Sequence, residues 1–285
     1  MKLQKIGQLM KGQDGAIWGD LLFRFDAKGN CRVYRLGDAV EEVSAFTLDR
    51  AQEIAPHSNA VVFGRDTACP DDAFPLLYSN IYNNYAKTDD PKKGVCCVYR
   101  LWREGDGFAT QLVQLIRVSF TEDTALWGSE GGDKRPYGNF VIDRERGIYY
   151  GFTMRDGQRT TRYFAFDLPA ADAGEWDAAL GVKTVTLRPE DIRFRFDTPY
   201  HNYLQGACCH GGKIYSVEGF TDDEVNPPAI RIIDPAAQAQ IFHMELSAAG
   251  LTVEPELIDF MGETCIYGDH DGNLYVMDPE GADGR

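Results

Sequence analysis

Five short polar segments of this sequence each stand directly before an apolar run, and they carry side chains suited to acid–base or ligand-binding chemistry. The segments are residues 13–15, 56–59, 135–139, 201–205 and 254–256. The side chains of interest are the carboxylates, imidazoles and amides of Asp14, His57, Asn59, Asn139, His201, Gln205 and Glu256. Carboxylates and imidazoles exchange protons, and amides bind hydroxyl groups. If these side chains converge, they form a polar binding or catalytic site.

Glu256, Asp14 and His57 are the candidates for catalysis. A Glu directly before a strand has no role in a turn, which favours a functional role for Glu256. His57 and His201 are two of only five histidines and stand at equivalent positions. We predict that Glu256 or Asp14 acts as acid or base, and that His57 or His201 orients the ligand or takes a proton. For Asp14 the alternative is a tight turn, since Asp before Gly caps the backbone.

The candidates for binding are amides and aromatic rings in the same segments. Asn59, Asn139 and Gln205 would hold hydroxyl groups, with His201 beside them. Tyr137 and Tyr203 lie in predicted loops, where exposed rings can stack on the faces of sugars. The alternative is that the long loops pack down on their own aromatic side chains.

One metal-like motif has a simpler explanation. Residues 269–273 read Asp-His-Asp-Gly-Asn, which resembles part of a calcium loop with oxygen ligands at alternate positions. However, residues 26–30 read Asp-Ala-Lys-Gly-Asn, and polar residues followed by Gly are what a tight hairpin needs for positive φ. The sequence therefore predicts a hairpin turn here.

The five polar segments converge only if the strands behind them surround one axis. Residues 31–36 read Cys-Arg-Val-Tyr-Arg-Leu, and residues 96–101 read Cys-Cys-Val-Tyr-Arg-Leu. Each copy ends a series of three apolar strands separated by turns, and weaker versions of the series follow. A period of about 40–65 residues of antiparallel strands is typical of a β-propeller. We predict an all-β fold, a five-bladed β-propeller.

The predicted blades form one domain over residues 1–285. They cover about 13–48, 57–120, 137–197, 203–247 and 254–278, and the last blade is completed by residues 2–10. The final repeat supplies only three strands, so the N-terminal strand would close the ring and remove an exposed edge. A helical turn is expected at residues 175–180. The alternative is six blades, if residues 48–80 or 182–204 contain a degenerate blade.

Composition indicates which classes of partner the protein binds and in which cell compartment we expect it. The formal charge of −15 argues against nucleic acid and anionic membranes, which bind clustered Lys and Arg. No signal-like or membrane-spanning apolar run is present, and the seven cysteines are an odd number without a CxxC motif. We expect a cytoplasmic protein in which the pairs Cys96–Cys97 and Cys208–Cys209 each bury one thiol per face of a strand.

Residues 135–154, which begin Arg-Pro-Tyr-Gly-Asn and end Tyr-Gly-Phe-Thr-Met, resemble a segment of the gluconolactonase-like (regucalcin-type) family. In that family an Asn of the Pro-containing loop binds a divalent metal. The resemblance implies a calcium-like ion near Tyr137 or Asn139, with Glu256 as a loose counterpart of a Glu ligand. The family has six blades, and its Asn is displaced relative to Asn139.

The predicted blade count and the aromatic-rich loops are similar to those of the five-bladed glycoside hydrolases such as the arabinanases. That resemblance implies an acid and a base on different blades, on opposite sides of a sugar. Asp14 and Glu256 are the available pair, with Asp20 as a spare.

These observations predict a propeller with an axial polar pocket for a small polyhydroxylated ligand, with hydrolysis of a sugar or lactone as the activity. The ligand would be a small molecule or a glycan. The alternative is a non-catalytic scaffold whose face binds a protein or glycan. An enzyme requires a carboxylate with a perturbed pKa at the mouth of the channel, whereas a scaffold requires an exposed apolar patch on the rim.

Overall fold

The computed structural model describes residues 2–81, 95–118, 134–135, 139–155, 157–178, 180–201 and 203–278. Its regular structure is almost entirely strand, in five sheets that form the blades of a five-bladed β-propeller. Short helical turns occur at Ala51–Ile54, Pro189–Asp191 and Leu246–Ala249. The predicted fold class is therefore confirmed, including the number of blades.

Each blade is built on four antiparallel strands, and in blades 1 to 4 these strands follow one another outwards from the axis in chain order. The strands of blade 1 are Gly15–Trp18, Leu21–Phe25, Asn30–Leu36 and Val40–Thr47. Those of blade 2 are Pro56–Phe63, Leu77–Ile81, Val95–Glu104 and Gly107–Val118. Those of blade 3 are Phe140–Asp143, Ile148–Arg155, Thr160–Asp167 and Phe194–Pro199, with the short strand Lys134–Arg135 beside the second. Those of blade 4 are Leu204–His210, Lys213–Glu218, Ala229–Asp234 and Ala239–Glu245.

Blade 5 joins the two ends of the chain. It contains Pro255–Met261, Thr264–Asp269 and Asn273–Asp278, and its outer strand is Lys2–Gln8. The N-terminal strand runs antiparallel to the last strand, pairing Leu3 with Met277 and Gln8 with Asn273. This pairing closes the ring and covers the edge that blade 5 would otherwise expose.

Blade 2 is extended by a segment that the sequence assigned elsewhere. Residues between the third and fourth strands of blade 3 form Val182–Leu187, which pairs in parallel with Gly107–Val118 of blade 2. The strand Glu175–Asp177 pairs with this segment, so the helical turn expected over 175–180 is wrong for residues 175–177. A turn follows, in which the Gly181 N–H donates to the Asp177 carbonyl oxygen at 2.7 Å. The segment does not form a sixth blade, because it belongs to the sheet of blade 2, where Val182 and Leu187 are buried. It covers the outer edge of that sheet.

The hydrophobic core is divided into five clusters, one between each pair of neighbouring blades. The vicinal cysteines follow this division. Cys97 packs between blades 1 and 2 while Cys96 packs between blades 2 and 3. Cys208 and Cys209 likewise face different interfaces. All seven cysteines are free thiols, which agrees with the expectation that each pair places one thiol on each face.

No helix among the described residues is long and apolar enough to cross a membrane.

Candidate functional site

The first strands of the blades contact one another around the axis, including across it between blades 2 and 4. These five strands run in the same direction, so their N-terminal ends lie together at one end of the channel, which we call the mouth. Hydrogen bonds between residues of different blades mark it. Gln13 and Glu256 join blades 1 and 5, and Gln205 and Glu254 join blades 4 and 5.

Irregular strand pairing directs two polar side chains towards the mouth. The register between the first two strands shifts between Leu204 and Gly206 in blade 4, and between Pro255 and Leu257 in blade 5. Gln205 and Glu256 are the residues at these shifts. A bulge leaves its residue out of the regular ladder and re-aims its side chain. The next residue in blade 5, Leu257, returns to the apolar interface with blade 1.

Gly206 permits the close approach of blades 4 and 5 beside the mouth. A Cβ atom at this position would lie 2.7 Å from the carbonyl oxygen of Glu256 and 3.2 Å from Oδ1 of Asp14. Three blades therefore meet at one glycine. Any side chain here would push apart the strands that hold Glu256 and Asp14.

Glu256 is a buried carboxyl of the mouth that contacts the partly exposed side chain of His270. Its side chain is buried, and Oε1 accepts hydrogen bonds from Gln13 Nε2 at 2.9 Å and from His270 Nδ1 at 3.0 Å. Oε2 accepts no hydrogen bond from any described residue. Burial raises the pKa of Glu256 to about 7, although the hydrogen bond from His270 opposes the shift.

Glu254 and His270 complete an acidic cluster with Glu256. Glu254 Oε1 accepts a hydrogen bond from Gln205 Nε2 at 2.5 Å, and burial raises its pKa. The hydrogen bond to Glu256 raises the pKa of His270, whose side chain is 44% exposed. One potential ligand atom from each of Glu254, Glu256 and His270 lies within 4.8 Å of the others. These three residues could hold a metal ion.

His270 is held by a hairpin turn, as the sequence predicted for residues 269–273. The backbone N–H of Asn273 donates to Asp269 Oδ1 at 2.9 Å, and Gly272 has a φ of +86°. Asp269 also accepts from the side chain of Asn273, so its carboxylate serves the turn. The turn is fixed to the mouth because the His270 N–H donates to the Glu254 carbonyl oxygen at 2.8 Å.

Asp14 and Arg24 lie beneath the cluster and are fully buried. Asp14 Oδ2 accepts a hydrogen bond from the Val61 N–H at 2.9 Å, which joins blades 1 and 2, while Oδ1 has no partner among the described residues. Burial raises the pKa of Asp14 well above its usual range. Arg24 donates to the carbonyl oxygens of Gly12 and Asp269, and burial lowers its pKa against the opposing charges of Glu256 and Asp14.

Three asparagine side chains form a second polar group of the mouth, between blades 2 and 3. Asn80 Nδ2 donates to Asn59 Oδ1 at 2.5 Å and to Asn139 Oδ1 at 3.1 Å. Asn80 Oδ1 in turn accepts from the Ala60 N–H. The amides that the sequence singled out in these two blades are therefore brought together through a residue it did not name.

The remaining predicted residues lie in different surroundings. His57 is half-buried on the first strand of blade 2, and burial lowers its pKa. His201 is fully buried, with Nε2 3.2 Å from the Tyr163 hydroxyl and Nδ1 3.5 Å from Glu218. Tyr203 has a φ of +57° and packs its ring on Phe220. Tyr137 lies outside the described residues. Roles of these four side chains in binding or catalysis stay predictions.

Sequence reasoning did not assign a function to His270, Gln13, Asn80 or Arg24. A signal existed for His270, because turns between second and third strands lie at the same end of a propeller as the segments that lead into the first strands. Asn80 and Arg24 lie within second strands, where nothing in the sequence separates a side chain of the mouth from a core position. Arg24 is buried within an apolar strand, between Phe23 and Phe25.

A cavity of about 340 Å³ lies elsewhere, between blades 4 and 5. It is lined by His210, Tyr215, Phe260, Glu263, Thr264, Cys265, Val276, Met277 and Asp278. His210 stands at the C-terminal end of its first strand, so this cavity lies away from the mouth. Its lining comes from two blades and mixes apolar with polar side chains. The mouth is the stronger candidate because polar groups from several blades converge there.

Comparisons with known proteins add no family. No protein-family model matches the sequence, and no curated protein matches it. Solved structures that resemble the fold include the glutaminyl cyclase of Myxococcus xanthus, at 11% identity over 98% of this chain and 96% of that chain, with a TM-score of 0.49. The WD40 β-propeller domain of Doa1 is 11% identical over 98% and 97% of the two chains, with a TM-score of 0.39. At these similarities neither protein's activity transfers to this chain.

Proposed function

We propose that the mouth binds a small polyhydroxylated ligand and that the protein hydrolyses a sugar or lactone there. The observation that carries the proposal is the convergence of Glu256, Glu254 and His270, with the amides of Gln13 and Gln205, from three blades. Such a group offers both donors and acceptors to hydroxyl groups, and it contains a carboxyl whose second oxygen has no partner among the described residues.

Glu256 is the residue on which the hydrolysis depends. Its pKa of about 7 means that both protonation states are populated at neutral pH, as an acid–base group requires. The amides of Asn59, Asn80 and Asn139 extend the site towards blade 3, where they would bind further hydroxyl groups of the ligand. The arabinanase-like and lactonase-like resemblances both lead to substrates of this chemistry.

The test is a panel of aryl glycosides, arabino-oligosaccharides and sugar lactones, assayed for turnover with the purified chain and with Glu256→Gln. We expect turnover of at least one class, and a loss of about 100-fold or more in kcat for Glu256→Gln, because the amide can neither exchange a proton nor carry charge. Glu41→Gln is the matched control, since Glu41 is an exposed carboxyl of an outer strand. It should retain full activity.

Two outcomes contradict the proposal. Equal turnover by Glu256→Gln and the parent would remove Glu256 from the chemistry. Absence of both turnover and saturable binding across the panel would leave the non-catalytic scaffold as the function to pursue. Circular dichroism and thermal unfolding of both variants separate a loss of activity from a loss of folding.

A further inference from the structure

We propose that Glu254, Glu256 and His270 bind a divalent transition-metal ion, with zinc and manganese as the fitting class. The inference rests on the proposed ligand site, because the ion would lie at the same mouth and contact the same ligand. It goes beyond that proposal by naming a cofactor and its three protein ligands.

The three side chains are arranged closely enough for one ion. Their potential ligand atoms lie within 4.8 Å of one another. Two ligands of one zinc ion, each at up to about 2.2 Å, lie at most about 4.4 Å apart. Small rotations of the half-buried Glu254 and the partly exposed His270 are therefore sufficient. Because His270 is 44% exposed, an ion can also reach the site from solvent.

An independent observation points to a ligand at this cluster. Glu256 is 1% exposed, yet its Oε2 atom accepts no hydrogen bond from any described residue. A buried carboxylate oxygen normally has a donor, because loss of water without compensation is costly. A cation bound by the Glu256 carboxylate would supply the missing interaction.

The charges around the cluster also favour a cation. Asp14, Asp269, Glu254 and Glu256 offer four carboxyls, and Arg24 is the guanidinium that faces Asp14, Asp269 and Glu256. The carboxyls therefore outnumber this guanidinium, which favours binding of a divalent cation. The side-chain N–H groups of Gln13 and Gln205 already bind one oxygen of each ligating carboxylate, and such hydrogen bonds orient metal ligands.

The donor set selects the class of ion. Calcium takes six to eight oxygen ligands, whereas zinc is bound by imidazole nitrogen together with carboxylate oxygen. Two carboxylates and one imidazole therefore fit zinc or manganese better than calcium. Three protein ligands leave a coordination position for a ligand oxygen, which the ion would polarise as a Lewis acid.

The experiment uses untagged protein purified without chelator or metal-affinity resin. Elemental analysis should find about one zinc or manganese ion per chain. After treatment with chelator, calorimetric titration with ZnCl₂, MnCl₂ and CaCl₂ should give one site that prefers zinc or manganese, together with a higher thermal unfolding temperature. Glu254→Gln, Glu256→Gln and His270→Ala should each weaken binding by tenfold or more.

The chain offers a matched control in His210 and Glu263, a surface His–Glu pair 3.2 Å apart at a different place in the fold. Glu263→Gln should bind the ion as the parent does. Binding that is equal in the parent and in all three ligand variants would overturn the inference, as would the absence of binding below millimolar ion.

The experiments distinguish failure of the proposed metal site from failure of the proposed hydrolytic function. Turnover that persists in chelator and is lost in Glu256→Gln leaves the hydrolase without the metal site. Stoichiometric binding without turnover of any substrate leaves the metal site without the hydrolase.

Discussion

At the scale of single residues, burial moves the pKa values of Glu256 and His201 in opposite directions. It raises the pKa of Glu256 to about 7 because the buried carboxylate loses its water. It lowers the pKa of His201 to about 3 because a buried imidazolium also loses its water. The attraction of Glu218 opposes this shift, whereas the neighbouring Arg231 and His243 add to it. His201 is therefore neutral at pH 7, which suits a structural contact with Tyr163.

Glu218 resists protonation beside this imidazole. Burial raises its pKa, but the hydrogen bond with His243 and the ion pair with Arg231, at 2.8 Å, outweigh burial and hold the pKa below its usual range. The pair of Glu218 and Arg231 is consequently ionised over the range in which His201 stays neutral.

His201 should make the protein less stable as the pH falls. Below its unfolded pKa of about 6.5 the unfolded chain binds a proton that the folded chain refuses until about pH 3, so stability drops between these values. Where the unfolded chain binds one proton more than the folded chain, the free energy of unfolding falls by about 1.4 kcal/mol for each pH unit of acidification. Denaturant unfolding at pH 6 and pH 4 should show that the parent loses roughly 1–3 kcal/mol more than His201→Gln. Equal losses would contradict the neutral buried imidazole.

At the scale of elements, the first strands of the blades line the channel and also direct polar side chains towards the mouth. Bulges at Gln205 and Glu256 break the regular alternation of side chains and turn these two residues towards the mouth. The strands can approach so closely because Gly206 has no side chain. The site is therefore a property of the irregular ends of strands, and the regular parts of the same strands form the core.

Gly206→Ala should weaken both the fold and the site. The added methyl group would lie 2.7 Å from the backbone oxygen of Glu256, and a backbone contact cannot be relieved by rotating a side chain. We expect a loss of about 1–3 kcal/mol in the free energy of unfolding, measured with denaturant. Gly151→Ala is the control, since its methyl group would meet Tyr149 and Phe166 only at 3.7 Å and 4.0 Å. A larger loss for Gly151→Ala would contradict the close approach.

At the scale of the whole molecule, closure of the ring depends on a strand from the opposite end of the chain. Lys2–Gln8 completes blade 5, and Ile6 and Leu9 join the apolar cluster between blades 5 and 1. Closure of the ring also positions residues of the mouth, because Gly12 and Gln13 come shortly after this strand. Gln13 donates a hydrogen bond to Glu256, and the Gly12 N–H donates to the carbonyl oxygen of His270. Closure of the ring and construction of the site are coupled.

Deletion of residues 1–8 should lower the thermal unfolding temperature by several degrees and promote self-association, since it exposes the edge strand Asn273–Asp278. Differential scanning calorimetry and light scattering would measure both effects. A synthetic peptide of residues 1–10 added to the truncated chain should recover part of the lost stability. An unchanged unfolding temperature after deletion would show that the strand pairing contributes little to closure.

The sequence by itself determined the fold. Apolar strands of alternating pattern, separated by Gly- and Asp-containing turns, specify local structure directly, because each strand must bury one face and each turn needs particular residues. The repeat at residues 31–36 and 96–101 and the missing fourth strand of the last repeat were sufficient to predict five blades and an N-terminal closing strand. The placement of residues 182–187 was not predictable in this way, since a short apolar strand fits the edge of any neighbouring sheet.

Only the tertiary structure decided which polar side chains meet. Gln13 and Glu256 are 243 positions apart in the sequence, and their hydrogen bond exists because the ring closes. His270 belongs to a turn that the sequence explains completely, yet its contact with Glu256 gives it a second role. The pKa of Glu256 depends on how much water the neighbouring blades remove, and burial of that kind is set by packing between distant segments. The residue type determines the chemistry of each side chain, and closure of the ring determines which side chains are in contact.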